Sequence, residues 1–155
     1  MRNISLKGII LATMLVVALD TISGIAIMPI FFGGDTLDEG MTEQERNDVI
    51  AAVTLTTNFL LTRLIRGTLS TMVGGYVAVR IAKRELYLNA GAFGVLGILL
   101  GVLFLKSLPL WFNVSSLLLI LPAALLGGLL AKSRIVDNTR HVPAAGAAPP
   151  GPAGP

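Results

Sequence analysis

The chain has 155 residues, of which 54% are hydrophobic and 14% are charged, and its formal net charge is +3. Soluble domains usually carry about 25% charged residues, so this composition argues against a soluble protein and predicts an integral membrane protein. The chain has no cysteine and one histidine, His141, which excludes disulfides, thiol nucleophiles and the usual zinc sites. Basic residues stand in small groups at the ends of apolar runs, as in membrane proteins, and no nucleic-acid partner is expected.

Four apolar runs predict an all-α fold, an integral membrane four-helix bundle. The predicted helices are 8–32, 46–82, 86–105 and 110–131. The first run follows Arg2 and Lys7 but is about twice as long as the apolar region of a signal peptide, so we expect an uncleaved helix. Residues 1–132 form the predicted transmembrane domain, and the Pro/Ala/Gly-rich segment 133–155 is predicted to be a disordered cytoplasmic tail.

The second predicted helix is unusual in how it begins and in its length. It follows an acidic loop, in which Thr42 and Glu45 have the spacing of a capping box. Counted over 49–82, the helix would extend about 50 Å, against roughly 30 Å of hydrocarbon. It must therefore project, tilt or break, and Gly74-Gly75 is the expected weak point.

The distribution of basic residues predicts the orientation, because cytoplasmic loops are enriched in Lys and Arg. With the N-terminus inside, the outer side holds only Arg46 and Lys106. The inner side then holds eight basic residues: Arg2, Lys7, Arg80, Lys83, Arg84, Lys132, Arg134 and Arg140. Both termini are therefore predicted to be cytoplasmic and the acidic loop is predicted to lie outside.

Three charged residues fall at bilayer depth, where an ionised side chain is costly and needs a partner. They are Asp20 in the first helix and Arg63 and Arg66 in the second. Counting from the basic anchors at the inner ends, Asp20 and Arg66 should lie within about 2 Å of the same level. We expect an Asp20–Arg66 ion pair, shared with Arg63.

Three interpretations of this charge cluster remain open. The pair locks two helices in register, or the cluster is a site for an anion, a lipid headgroup or a proton path, or another chain supplies a missing carboxylate. The second follows from charge, since two arginines and one aspartate leave one positive charge uncompensated.

Glycines mark the expected contacts between helices, because small residues let backbones approach closely. Six are predicted packing positions: Gly74, Gly75, Gly91, Gly94, Gly97 and Gly101. The last four form a stripe that can seam helices within the chain, seam two copies, or line a path. The stretch Gly74-Gly75-Tyr76-Val77-Ala78-Val79-Arg80-Ile81-Ala82-Lys83 with the glycine-rich helix after it, to Gly101, resembles small four-helix membrane proteins of uncharacterised bacterial families. That resemblance implies a four-helix bundle in a bacterial inner membrane and no known activity.

The predicted function is non-enzymatic: a small multi-pass inner-membrane protein that serves as a structural or accessory subunit. Its expected partners are the lipid bilayer and either copies of itself or a larger membrane protein. The alternative is a transporter or channel subunit that uses Asp20, Arg63 and Arg66. The sequence contains no phosphate-binding loop, nucleophile motif or metal-ligand spacing, so no catalytic residue, metal or cofactor is predicted.

Overall fold

The structure is a computed structural model that describes residues 4–33, 40–82, 85–103 and 108–140. Over these residues the fold is all-helical. The helices are α1 (Leu6–Phe32), α2 (Glu43–Thr54), α3 (Thr57–Ala82), α4 (Leu86–Leu103) and α5 (Leu110–Arg140).

Two helices of the described part are long and apolar enough to cross a membrane: α1, and α5 over Leu110–Lys132. The bent pair α2 and α3 counts as a third candidate if it is taken as one span, and Tyr87–Leu103 of α4 is a shorter apolar helix. Only 11% of the most apolar stretch of α1 is buried inside the protein, so most of its apolar surface faces outward. This is the arrangement expected of a helix whose solvent is lipid.

The predicted second helix, 46–82, is corrected by the structure to two helices bent by 67° at Leu55 and Thr56. The hydroxyl of Thr56 donates to the carbonyl of Val53 (2.7 Å), and its backbone N–H donates to the same carbonyl (3.0 Å). A hydroxyl that bonds to a nearby carbonyl offers the backbone an alternative to regular helical bonding. The helix therefore breaks where threonines cluster.

Gly74-Gly75, the expected weak point, lies instead within an unbroken α3. Both glycines are buried, and a Cβ at Gly75 would collide with the backbone carbonyl of Ala124 on α5. These glycines permit close packing against several neighbouring helices, and the backbone stays helical there.

The predicted capping box at the start of α2 is confirmed. The backbone N–H of Thr42 donates to Oε2 of Glu45 (2.8 Å), and the backbone N–H of Glu45 donates to Oγ1 of Thr42 (3.3 Å). These hydrogen bonds lower the pKa of Glu45 below its ordinary value of 4.5, the backbone bond having the larger effect. A lowered pKa means that ionised Glu45 stabilises α2.

We predict a pH dependence of α2 with a definite sign. Because the pKa of Glu45 in the folded state lies below 4.5, its contribution is complete above that pH and is lost as the pH falls through the lowered pKa. Amide and carboxyl NMR signals of α2 should report fraying of the first turn over that range. Glu45→Gln should abolish the dependence, whereas Glu43→Gln, a change at an exposed first-turn neighbour outside the box, should leave it intact. An identical titration in both variants would contradict the assignment.

Helix α3 is the centre of the bundle and contacts α1, α4 and α5. Its tightest contact is reciprocal with α5: the Ala124 carbonyl lies over Gly75, and a Cβ at Gly127 would collide with the carbonyl of Met72 and lie 2.8 Å from the backbone nitrogen of Tyr76. Backbone thus meets backbone in both directions, which only glycine permits at these two positions.

The predicted glycine stripe on α4 faces α5 for most of its length. A Cβ at Gly94 would lie 3.0 Å from Leu121, one at Gly97 would lie 3.1 Å from Ile120, and one at Gly101 would lie 3.1 Å from Leu117. Gly91 differs, since a Cβ there would meet nothing within 4 Å. The seam is therefore an intramolecular one over Gly94 to Gly101.

Packing is tight along the N-terminal half of α1. A buried cluster joins all four long helices there: Ala12, Ala78, Phe93 and Ala124. Towards the other end of α1, the ring of Phe59 on α3 packs edge-on against Phe31 with centroids 5.1 Å apart. These two contacts hold α1 and α3 together near both ends of α1. The space between the two helices lies in the middle.

The last helix is longer than predicted. It was expected to end at Ala131, but α5 continues to Arg140, so the first residues of the predicted disordered tail are helical. The remainder of that tail, 141–155, lies outside the described residues, as does part of the acidic loop (34–39).

Candidate functional site

A cavity of about 430 Å³ lies between α1, α3, α4 and α5, beyond the tightly packed half of the bundle. Ligand-binding pockets usually measure about 300–1,000 Å³, so the space is large enough for a small molecule or a headgroup. Small residues help to create it: Gly67, Gly97 and Gly101 all line its wall, and a Cβ at Gly67 would meet nothing within 4 Å.

All three charged residues singled out from the sequence line this cavity. Asp20 reaches it from α1, and Arg63 and Arg66 reach it from α3. The level deduced by counting residues therefore agrees with their common position. If all three are ionised, two positive charges and one negative charge leave a net single positive charge in the cavity wall.

The expected Asp20–Arg66 ion pair is not formed among the described residues. Oδ1 of Asp20 and the Nε and Nη1 atoms of Arg66 are buried and have no hydrogen-bond partner. The guanidinium lies instead against Gly24, one helical turn beyond Asp20, with Nη1 3.0 Å from where a Cβ would stand. Gly24 has no side chain and so makes room for the guanidinium. The direction in which Arg66 points is therefore set by the rotation of α3 about its axis and by this glycine, and not by the depth of Arg66 alone.

Arg63 has a different environment from Arg66. Its side chain is exposed, and its guanidinium carbon lies 5.9 Å from the ring centroid of the buried Phe112 on α5. A cation at this distance from an aromatic face is attracted by the ring quadrupole. Arg63 is therefore held at the edge of the cavity, whereas Arg66 supplies the buried donors.

The other polar groups of the cavity are already satisfied by their own helices. The donations run from Thr13 to Ile9 (2.9 Å), Thr68 to Leu64 (2.8 Å), Thr71 to Gly67 (2.8 Å) and Ser116 to Asn113 (2.9 Å), in each case from hydroxyl to carbonyl. The amide of Asn113 likewise donates to the carbonyl of Leu108 (3.1 Å). The unpartnered buried groups in the described wall are thus two donors on Arg66 and one acceptor on Asp20.

An unpaired buried polar group costs about 1–3 kcal/mol, and more when it is charged. Arg66 and Asp20 would each recover this cost by binding a complementary group. The arrangement can therefore bind an anion at Arg66 and accept a hydrogen bond at Asp20. No group of three or more residues able to hold a metal ion occurs in the described ranges.

Asn89, which was not predicted from the sequence, is completely buried at the start of α4. Its Oδ1 accepts from the backbone N–H of Ser5 (2.7 Å), the residue that caps α1, and its Nδ2 donates to the carbonyl of Glu85 (3.1 Å). One amide therefore joins the beginnings of α1 and α4. The available signal was a lone asparagine in an otherwise apolar helix.

Comparison with known proteins gives no independent indication of function. No family model, no curated protein and no solved structure matches the chain. The resemblance of Gly74 to Gly101 to small bacterial membrane proteins consequently stays a prediction, and the case for a function depends on the cavity and its charges.

Proposed function

We propose that the chain is a four-span protein of the bacterial cytoplasmic membrane with both termini inside. The spans are α1, α3, α4 and α5, and α2 is a polar helix at the outer surface. This is supported by the apolar surfaces of α1 and α5, by the excess of basic residues on one side, and by the bend between α2 and α3. The bacterial origin is inferred from the resemblance of Gly74–Gly101 alone.

Within this protein the cavity is an anion-binding site, and the chain acts as an anion-binding membrane-protein subunit without catalytic activity. One observation carries this proposal: Nε and Nη1 of the cationic Arg66 are buried and unpartnered in a cavity whose wall holds two arginines and one aspartate. A cation in such a place gains free energy from any anion that replaces the missing partner.

The purely structural alternative, an ion pair that holds α1 and α3 in register, requires a contact that Asp20 and Arg66 do not make. An accessory role beside a larger membrane protein stays compatible with the proposal, because an accessory subunit can also bind a ligand. Transport of the bound anion is the second candidate, and it is favoured by the polar lining that continues from Asp20 to Asn113 at the start of α5.

The anion site is tested by titrating inorganic phosphate into the purified full chain in mild detergent and following its melting temperature. The parent should be stabilised, and Arg66→Gln should lose the response. Arg80→Gln removes the same charge from an exposed residue whose guanidinium donates to the Tyr76 hydroxyl, and it should respond like the parent.

The effect of Asp20→Asn on phosphate affinity distinguishes the anion site from the register-locking ion pair. If Asp20 only repels the bound anion, the variant should bind phosphate several-fold more tightly, because a like charge has been removed. A register-locking ion pair would instead make Asp20→Asn and Arg66→Gln similarly unstable with no phosphate effect. Equal phosphate responses of the parent and Arg66→Gln would contradict the proposed function.

A further inference from the structure

A second, apolar space lies beside the charged cavity, on the surface between α1 and α4. This groove has a volume of about 410 Å³. It is lined by Ile10, Thr13, Met14, Val17 and Ala18 of α1 and by Leu96 of α4. Its wall is almost entirely hydrocarbon, which suits an acyl chain.

The groove and the cavity meet on α1, because Thr13 and Val17 line both. The two spaces differ in chemistry: one offers buried charge and the other offers apolar surface. A ligand that occupies both must carry an anionic group at one end and a hydrocarbon chain at the other.

The unpartnered groups define the headgroup more closely. Nη1 of Arg66 can donate to a phosphate oxygen, Nε is a further donor on the other edge of the guanidinium, and Oδ1 of Asp20 can accept from a hydroxyl. With Asp20, Arg63 and Arg66 all ionised, the net single positive charge of the wall is neutralised by one negative charge, which is the charge of a phosphodiester. A zwitterionic headgroup would leave the positive charge uncompensated.

The groove begins close to the level of Asp20 and leads away from it along α1. On the proposed orientation, Asp20 lies about 20 Å from the inner anchor Lys7, in the outer half of roughly 30 Å of hydrocarbon. From the level of Ala18 the groove runs along α1 to Ile10, towards the cytoplasmic side. On the same count Ala18 lies about 17 Å and Ile10 about 5 Å from Lys7, so an acyl chain that leaves a headgroup at Arg66 would lie along α1 from the bilayer centre into its cytoplasmic half.

We propose that the cavity binds an acidic phospholipid with a hydroxyl-bearing headgroup, such as phosphatidylglycerol, its phosphodiester at Arg66 and one acyl chain in the groove between α1 and α4. This rests on the proposed anion site and deepens it by naming the ligand class. The lipid enters sideways from the bilayer, and Asp20 selects the headgroup by accepting its hydroxyl.

The test is native mass spectrometry of the purified full chain with phosphatidylglycerol, phosphatidylcholine and phosphatidylethanolamine of identical acyl chains. We expect a preference of about tenfold or more for phosphatidylglycerol, lost in Arg66→Gln, as befits a charge-assisted site. Gly67→Leu should also abolish binding by filling the cavity. Gly91→Leu, at a helical glycine outside the cavity with open space around it, is its matched control and should bind normally.

A second pair of variants separates the contribution of the lipid's acyl chain to binding from that of its headgroup. Ala18→Trp obstructs the groove and should weaken lipid binding while the phosphate response persists. Ile22→Trp, one turn further along α1 at an exposed position outside the groove, should change neither. Equal binding of the three lipids, with an Arg66-dependent phosphate response, would overturn the lipid assignment and leave a site for free anions. Loss of both lipid selectivity and phosphate binding would overturn the proposed function as well.

Discussion

Gly127→Ala is expected to destabilise the protein strongly although it adds only one methyl group. The new Cβ would collide with the carbonyl of Met72 and lie 2.8 Å from the backbone nitrogen of Tyr76. A backbone cannot change rotamer, so α3 and α5 must move apart, and their shared core would lose contacts. Overpacking of this kind usually costs about 1–3 kcal/mol, against about 0.5–1 kcal/mol gained when alanine replaces glycine in a helix. The melting temperature in mild detergent should fall clearly.

The same measurement on Gly91→Ala provides the control. Gly91 is also a helical glycine, but a Cβ there meets nothing within 4 Å, so only the favourable helix propensity remains. Its melting temperature should stay constant or rise slightly. Gly75→Ala, which meets the carbonyl of Ala124, should behave like Gly127→Ala. If all three variants melt together, the backbone contact between α3 and α5 is not what holds the bundle.

The sequence predicted the elements whose signals are local. Helix α1 was predicted within two residues of its observed start because an apolar run of this length has no other stable form in a membrane. The capping box of Thr42 and Glu45 was found because it depends on residues only three apart. The all-helical fold follows from the same local patterns.

The break in the second predicted helix was misplaced because two weak signals competed. Gly74-Gly75 lowers helix propensity, but α1 and α4 cover Gly74, α5 covers Gly75, and both residues stay helical. At Thr56 the helix breaks because its hydroxyl and N–H bond to the same carbonyl. Tertiary packing decided the first case and local hydrogen bonding the second, and the sequence alone does not rank them.

The depth of Asp20 and Arg66 in the candidate site could be predicted from the sequence, but the direction in which the Arg66 side chain points could not. A rise of about 1.5 Å per residue from Lys7 and Arg80 put Asp20 and Arg66 at one depth, and both line one cavity. Which way Arg66 points depends on the rotation of α3 and on the space at Gly24, neither of which a residue count contains. The groove beside the cavity was also invisible in the sequence, since α1 and α4 are distant along the chain.

Asn89→Leu is expected to cause the second large loss of stability, at the opposite end of the bundle from the cavity. Asn89 is fully buried and bonds to the backbones of Ser5 and Glu85. Leucine is similar in volume but would leave the part-buried N–H of Ser5 without its acceptor, at a cost of about 1–3 kcal/mol. The melting temperature should fall, and the Ser5 amide should lose protection in hydrogen exchange.

Asn58→Leu is the matched control for Asn89, because Asn58 lies on α3 with its side chain exposed. It should melt like the parent and leave exchange at Ser5 unchanged. Asn89→Asp separates the two hydrogen bonds: its carboxylate can still accept from Ser5 but can no longer donate to Glu85, and it buries a charge. Exchange at Ser5 should then stay slow while the melting temperature falls. Rapid exchange of the Ser5 amide in Asn89→Asp, or exchange as slow as in the parent in Asn89→Leu, would show that α1 is anchored to α4 by other contacts.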